Sequence, residues 1–200
     1  MLYVATARRR YVGAGVALFV VAASFAYASF AHVRERFHIW LNPWPVALSS
    51  GYQIVQSMFA FAAGGVAGTG LALGSPSRIP AAPTDFIFAA IGEELGLAGA
   101  VAVLMAFVLI VGSALRIAVR AEAAVDKLVA MGAAAIFGLQ TFIIVAGVTR
   151  LLPLTGLTLP FVSYGGSSLV ANYMLLALVI RISHDNALVG ADVPAAMIPS

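Results

Sequence analysis

Long stretches without a charged side chain alternate along this chain with short charged or Pro/Gly-rich segments, and that alternation predicts the architecture. A spanning helix needs about 20 mostly apolar residues. Residues 11–31 form one such stretch, bracketed by Arg8-Arg9-Arg10 and by Arg34-Glu35-Arg36. No formal charge occurs from Phe37 to Ser77. Its membrane part is expected at 52–73, after an interfacial belt of Trp40 and Trp44 broken by Pro43 and Pro45. Residues 95–115 and 128–149 are two further uncharged spans. Pro153 and Pro160 split the last apolar run into an irregular lead-in and a helix over 168–182. The pattern predicts an all-α, polytopic helical bundle of five spans. Residues 1–186 form a single membrane domain, and 187–200 a weakly structured tail.

Composition agrees. Apolar residues make up 62% of the 200 and charged residues 10%, where a soluble domain carries about 25% charge. A soluble enzyme is excluded, and the solvent is the lipid bilayer. The net charge of +3 is scattered and forms no basic stripe, so nucleic acid is not a partner. With no cysteine there are no disulfides, thiolate metal sites or cysteine nucleophiles. His32, His38 and His184 are irregularly spaced without an HExxH pattern, and no metal site is assigned to them. The first apolar run has no small-residue cleavage site and reads as a retained helix.

Eight acidic residues exist, and five of them (Glu35, Glu122, Asp126, Asp185, Asp192) fall in linkers or the tail. The other three, Asp85, Glu93 and Glu94, sit at the mouth of an apolar segment, where an ionisable group is a functional candidate by default. Thr84 and Asp85 are also good helix starters, and both readings stand at this point. A helix running on from Asp85 would turn Glu93 about 80° away and Glu94 to the opposite face. Those two are therefore expected to hold partners within the bundle. Gly64-Gly65-Val66-Ala67-Gly68-Thr69-Gly70 lacks the Lys-Ser/Thr of a phosphate loop and suits close helix packing. Residues 157–168, with Pro160, Ser163, Tyr164, Gly165, Gly166, Ser167 and Ser168, are expected to be non-helical. Such backbone is tolerated at membrane depth only in protein or beside a watery cavity. Its hydroxyls and amides suit a sugar or pyrophosphate, and equally a helix cap. Gln56 and Ser57 line the same cavity or bridge helices.

Taken in order, Trp40-Leu41-Asn42-Pro43-Trp44, Gly51 to Ser57, Thr84-Asp85-Phe86-Ile87-Phe88-Ala89, Glu93-Glu94-Leu95-Gly96, Leu157-Thr158-Leu159-Pro160 and Ser163 to Ser168 resemble the SEDS family of cell-wall proteins (RodA, FtsW, SpoVE). The resemblance implies the C-terminal half of a ten-helix membrane glycosyltransferase of the bacterial inner membrane, with an irregular extracytoplasmic loop. Such an enzyme polymerises lipid II into glycan strands, by inversion, during elongation or division. Its expected partners are a class B penicillin-binding protein and other cell-wall synthesis proteins. Asp85 takes the role of the family's essential carboxylate. Gln56, Ser57, Arg78, Thr84, Ser163, Tyr164, Gly165, Gly166 and Ser167 are the expected substrate-binding residues, Arg78 as a cation for the leaving pyrophosphate. Mg2+ or Mn2+ is a possible cofactor. A precursor transporter and a non-catalytic scaffold are the alternatives, and this chain alone is expected to be inactive. Many members have Leu-Pro-Glu where this chain reads Ile79-Pro80-Ala81.

Five spans put Arg8, Arg9, Arg10, Arg78 and Arg150 on one side and Arg34, Arg36, Arg116, Arg120, Lys127 and Arg181 on the other. Five against six assigns no orientation. Setting the arginine triplet aside as the foot of an absent helix makes the second side cytoplasmic and turns Asp85 outward.

Overall fold

The computed structural model describes residues 10–191. Among them are seven α-helices and no strand: α1 (Arg10–Ser29), α2 (Ala31–Leu41), α3 (Tyr52–Gly64), α4 (Ile87–Glu94), α5 (Gly96–Arg120), α6 (Ala124–Val148) and α7 (Gly166–Ala191). Helices α1, α5, α6 and α7 are long and apolar enough to cross a membrane. At 1.5 Å per residue α5 and α6 each run about 37 Å, sufficient for a ~30 Å hydrocarbon core.

Helices α5 and α6 form a tight hairpin through Ala121–Ala123. Their seam is built from small side chains, with Ala114, Ala118, Ala130, Ala133 and Ala134 all buried and Phe137 filling the gap. Where both neighbour and lipid are apolar, close backbone approach and van der Waals packing decide association. Helix α7 joins this pair through Val179 and Ile182.

The predicted span over 52–73 is corrected. Helix α3 ends at Gly64, and Gly65, Gly68 and Gly70 take positive φ, so the second half of the run is a loop. This loop services a break between α4 and α5, where Gly96 adopts φ +66°. The N–H groups of Leu97 and Ala98, orphaned at the start of α5, donate to the carbonyls of Gly65 and Val66. The carbonyls of Glu93 and Glu94, orphaned at the end of α4, accept from the N–H groups of Thr69 and Gly70. Helix ends in an apolar medium must find such partners. The glycines admit them, since a Cβ on Gly64 or Gly68 would run into the carbonyls of Gly92 or Glu94. The glycine run does serve close packing, as a loop on a helix break rather than along a straight span.

Among the described residues four helices, against the five spans expected, are long and apolar enough to cross, and α3 and α4 are two short helices packed at one end of the bundle. The last helix is longer than 168–182, and Ala187–Ala191 continues it where a tail was expected; residues 192–200 lie outside the described residues. The sidedness is corrected too. Arg36, on α2, donates through Nη1 to the Leu154 carbonyl at 2.9 Å. Trp40 Nε1 donates to the Arg150 carbonyl, and Arg150 Nη2 donates back to the Trp40 carbonyl. Arg34 and Arg36 therefore share an end with Arg150 and Asp85.

Candidate functional site

Asp85 lies in the turn between Ala81 and Phe86 that precedes α4. The turn is pinned from both sides. Phe86 is fully buried, Ile79 and Ala82 sink into the same core, and the Phe86 N–H donates to the Ala81 carbonyl. Asp85 itself is half-buried. The helix-starter reading fails here, because the residue flanking α4 is Phe86, no side chain caps the helix, and its first turn holds no acid. Among the described residues Asp85 makes no hydrogen bond or salt bridge. A half-buried carboxylate without local work is a candidate for chemistry.

Its neighbour is a residue missed by the sequence reading. Gly156 stands between Asp85 and Arg36: a Cβ there would lie 3.5 Å from Asp85 Oδ2 and 3.7 Å from Arg36 Nη1. The two charges thus face each other across one glycine without closing into a salt bridge. Gly156 has φ +72°, in the region that glycine occupies at no steric cost. Arg36 also lines a cleft of mixed character, about 320 Å3, with His32, Glu35, Ser50 and Gln53 on its polar part and Ile39, Ile54 and Leu154 on its apolar part. Only one of the guanidinium N–H groups is used on Leu154, which leaves donors for an anion. The signal available in the sequence was the Arg34-Glu35-Arg36 triplet beside an apolar span.

The 157–168 segment buttresses the Asp85 turn. Ser163 Oγ is buried, accepts the Leu159 N–H at 2.8 Å and donates to the Thr84 carbonyl. The Tyr164 N–H donates to the Pro83 carbonyl at 2.7 Å. Thr84 Oγ1 donates to the Ala81 carbonyl. Ser163 and Thr84 are therefore committed to backbone partners. The Tyr164 side chain is 75% exposed and Ser167 is exposed. Gly165 is half-buried against Thr158, and Gly166 opens α7. Thr158 Oγ1 bonds Ser168 Oγ, which also accepts from Asn172 Nδ2, while Gln140 Nε2 holds the Thr158 carbonyl. Non-helical backbone at this depth is thereby satisfied within protein.

Gln56 and Arg78 come together elsewhere, around a cavity of about 100 Å3 that includes Ser75 and Glu93. Ser57 is fully buried and bonds the Ile54 carbonyl of its own helix. Among the described residues no group of three or more His, Asp or Glu side chains could hold a metal ion.

The family model FTSW_RODA_SPOVE, described as "Cell cycle protein", matches residues 1–188. "Peptidoglycan glycosyltransferase RodA" of Mycobacterium tuberculosis is 52% identical over 184 residues, 92% of this chain and 39% of that protein. "Probable peptidoglycan glycosyltransferase FtsW" of Geobacter metallireducens is 37% identical over 185 residues, 92% of this chain and 49% of that protein. A chain from the solved structure "Structural coordination of polymerization and crosslinking by a peptidoglycan synthase complex" superposes with a TM-score of 0.73 at 28% identity, covering 92% of this chain and 52% of that one. The chain thus spans about two fifths to one half of the length of these relatives.

Proposed function

The chain belongs to the FtsW/RodA/SpoVE family of cell cycle proteins and is a multi-pass membrane protein, and on that premise we propose that it serves peptidoglycan synthesis as a lipid II polymerase. The carrying observation is the uncapped Asp85 carboxylate facing Arg36 across Gly156. In this reading Asp85 takes the proton from the 4-hydroxyl of an acceptor GlcNAc as that oxygen attacks C1 of a MurNAc. The C1–O bond to undecaprenyl pyrophosphate breaks on the opposite face, so the α-linked donor becomes a β-1,4 linkage. The leaving pyrophosphate needs cationic or hydrogen-bond stabilisation more than a proton. Arg36, with guanidinium donors beyond the one used on Leu154, takes that role in place of Arg78.

The orientation of the bundle supports an extracytoplasmic site. With four crossings, Arg10, Arg116, Arg120, Lys127 and Arg181 gather at the end opposite Asp85, and Arg8 and Arg9 precede Arg10 in the chain. Arg34, Arg36, Arg78 and Arg150 lie at the Asp85 end. With that excess read as cytoplasmic, the count supports an Asp85 at the outer face of a bacterial inner membrane. The solved relative comes from a peptidoglycan synthase complex that coordinates polymerization and crosslinking, which supports a cross-linking partner, in this reading a class B penicillin-binding protein.

The test is glycan formation from purified lipid II, by this chain alone and co-expressed with the amino-terminal part of a mycobacterial relative. Asp85→Asn should lower turnover at least 100-fold with the protein still folded. Unchanged polymerisation by that variant would sink the base assignment. In the co-expressed protein, precursor translocation without polymerisation would favour a transporter, and neither activity a scaffold.

A further inference from the structure

Glu93 is a buried acid to which the reaction assigns no task. It sits in the last turn of α4 and is 8% exposed. Its Oε1 accepts the Ser75 N–H at 2.9 Å. Its Oε2 is buried with no protein partner, and the carboxyl borders the 100 Å3 cavity shared with Gln56 and Arg78. The loop lies tight on the acid: a Cβ on Gly74 would approach Glu93 Cδ to 3.2 Å and Glu94 Cγ to 3.0 Å.

Ser75 opens the segment that ends at Asp85. Between them the chain is held by the buried Ile79 and Ala82 and by short turns. Its downstream end is tied to Ser163 and Tyr164, and its upstream end to Glu93. We propose that Glu93 is a positioning residue: its carboxyl oxygen anchors the start of the Ser75–Phe86 segment and so sets where Asp85 stands relative to Arg36. The proposal rests on the polymerase reading for its catalytic consequence, but the anchoring is a separate physical statement. What matters is an acceptor oxygen at the right reach. Glutamine supplies one and also brings donors for the cavity; alanine and the shorter aspartate do not reach Ser75.

The experiment compares wild type, Glu93→Ala and Glu93→Gln, each co-expressed with the amino-terminal part of the mycobacterial relative, in lipid nanodiscs by amide hydrogen exchange, and with lipid II by steady-state kinetics. Glu93→Ala should raise exchange over 75–86 at least 10-fold, leaving α5 and α6 protected. Its kcat should fall about 100-fold with KM within threefold, because a displacement of about 1 Å costs roughly that much. Glu93→Gln should stay near wild type in both. Three results would overturn the proposal: unchanged exchange in Glu93→Ala, loss of protection throughout the bundle, or a Glu93→Gln variant as impaired as alanine. If Asp85→Asn polymerises normally the base assignment falls, while the exchange contrast between Ala and Gln still decides the anchor.

Discussion

Asp85 and Arg36 both reach the open side of Gly156, a residue that has no side chain, and this makes Gly156 the sharpest probe of the site. Alanine there must adopt φ near +72°, at a cost of about 1–2 kcal/mol. Its methyl would contact Asp85 Oδ2 and Arg36 Nη1 at ordinary van der Waals distance. We expect Gly156→Ala to lower the melting temperature by only a few degrees, yet to reduce kcat/KM for lipid II at least 10-fold. Arg36→Gln should cost 100- to 1,000-fold in kcat, as expected for losing a preorganised charge at a leaving group, with Arg36→Lys intermediate. Kinetics beside thermal melts separate the two effects. A Gly156→Ala protein as active as wild type would show that the space between the charges is not used. Asp85 was legible in the sequence because acids in apolar segments are few. Arg36 was not: it sits in a charged triplet that reads as a loop, and only folding brings it 49 positions across the chain, beside Asp85 and against Leu154.

At the scale of elements, the decisive feature is the break at Leu95–Gly96 and the glycine loop that caps both helix ends. A Cβ on Gly96 would collide with the backbone of Gly68 and Val66, and its φ of +66° adds strain. Backbone cannot yield as a flexible side chain can. Gly96→Ala should therefore destabilise the protein by about 3 kcal/mol or more, seen as a large loss of thermal stability in detergent. Gly13→Ala, where a Cβ meets nothing, serves as the control and should melt like wild type. Three of the long helices, α1, α5 and α6, were readable to within about five residues because lipid demands long apolar runs, whereas α7 runs well past the end expected at 182. The 52–73 stretch was misjudged because glycines in a charge-free run suit a packed membrane helix and a capping loop equally well. The choice depends on the orphaned amides and carbonyls of α4 and α5.

For the whole molecule, the number of crossings fixes which residues share an aqueous face. Five spans would put Leu48 and Glu122 on one side; the four-crossing fold puts them on opposite sides. Both positions are exposed, Leu48 at 96%, and the chain has no native cysteine. Leu48→Cys and Glu122→Cys variants should react with a membrane-impermeant thiol reagent from opposite sides of intact cells and inverted vesicles. Reaction of both from one side would overturn the arrangement. Helix α1 stands apart from the rest, resting chiefly on α2 with Leu18, Phe19 and Val21 exposed, as suits a surface facing lipid or other membrane helices.

The sequence by itself determined that this chain lives in a bilayer, that its long helices lie about where they do, and that Asp85 is the acid to test. Those follow from local quantities, since charge density and apolar run length act wherever the residue ends up. The tertiary structure alone decided that one apolar run folds back instead of crossing. It also decided that Ser163 braces the Asp85 turn, that Glu93 holds Ser75, and that Arg36 rather than Arg78 faces the carboxylate across Gly156. Each of these depends on where distant backbone amides, carbonyls and charges find partners, and in a medium without water that search is settled by the fold as a whole.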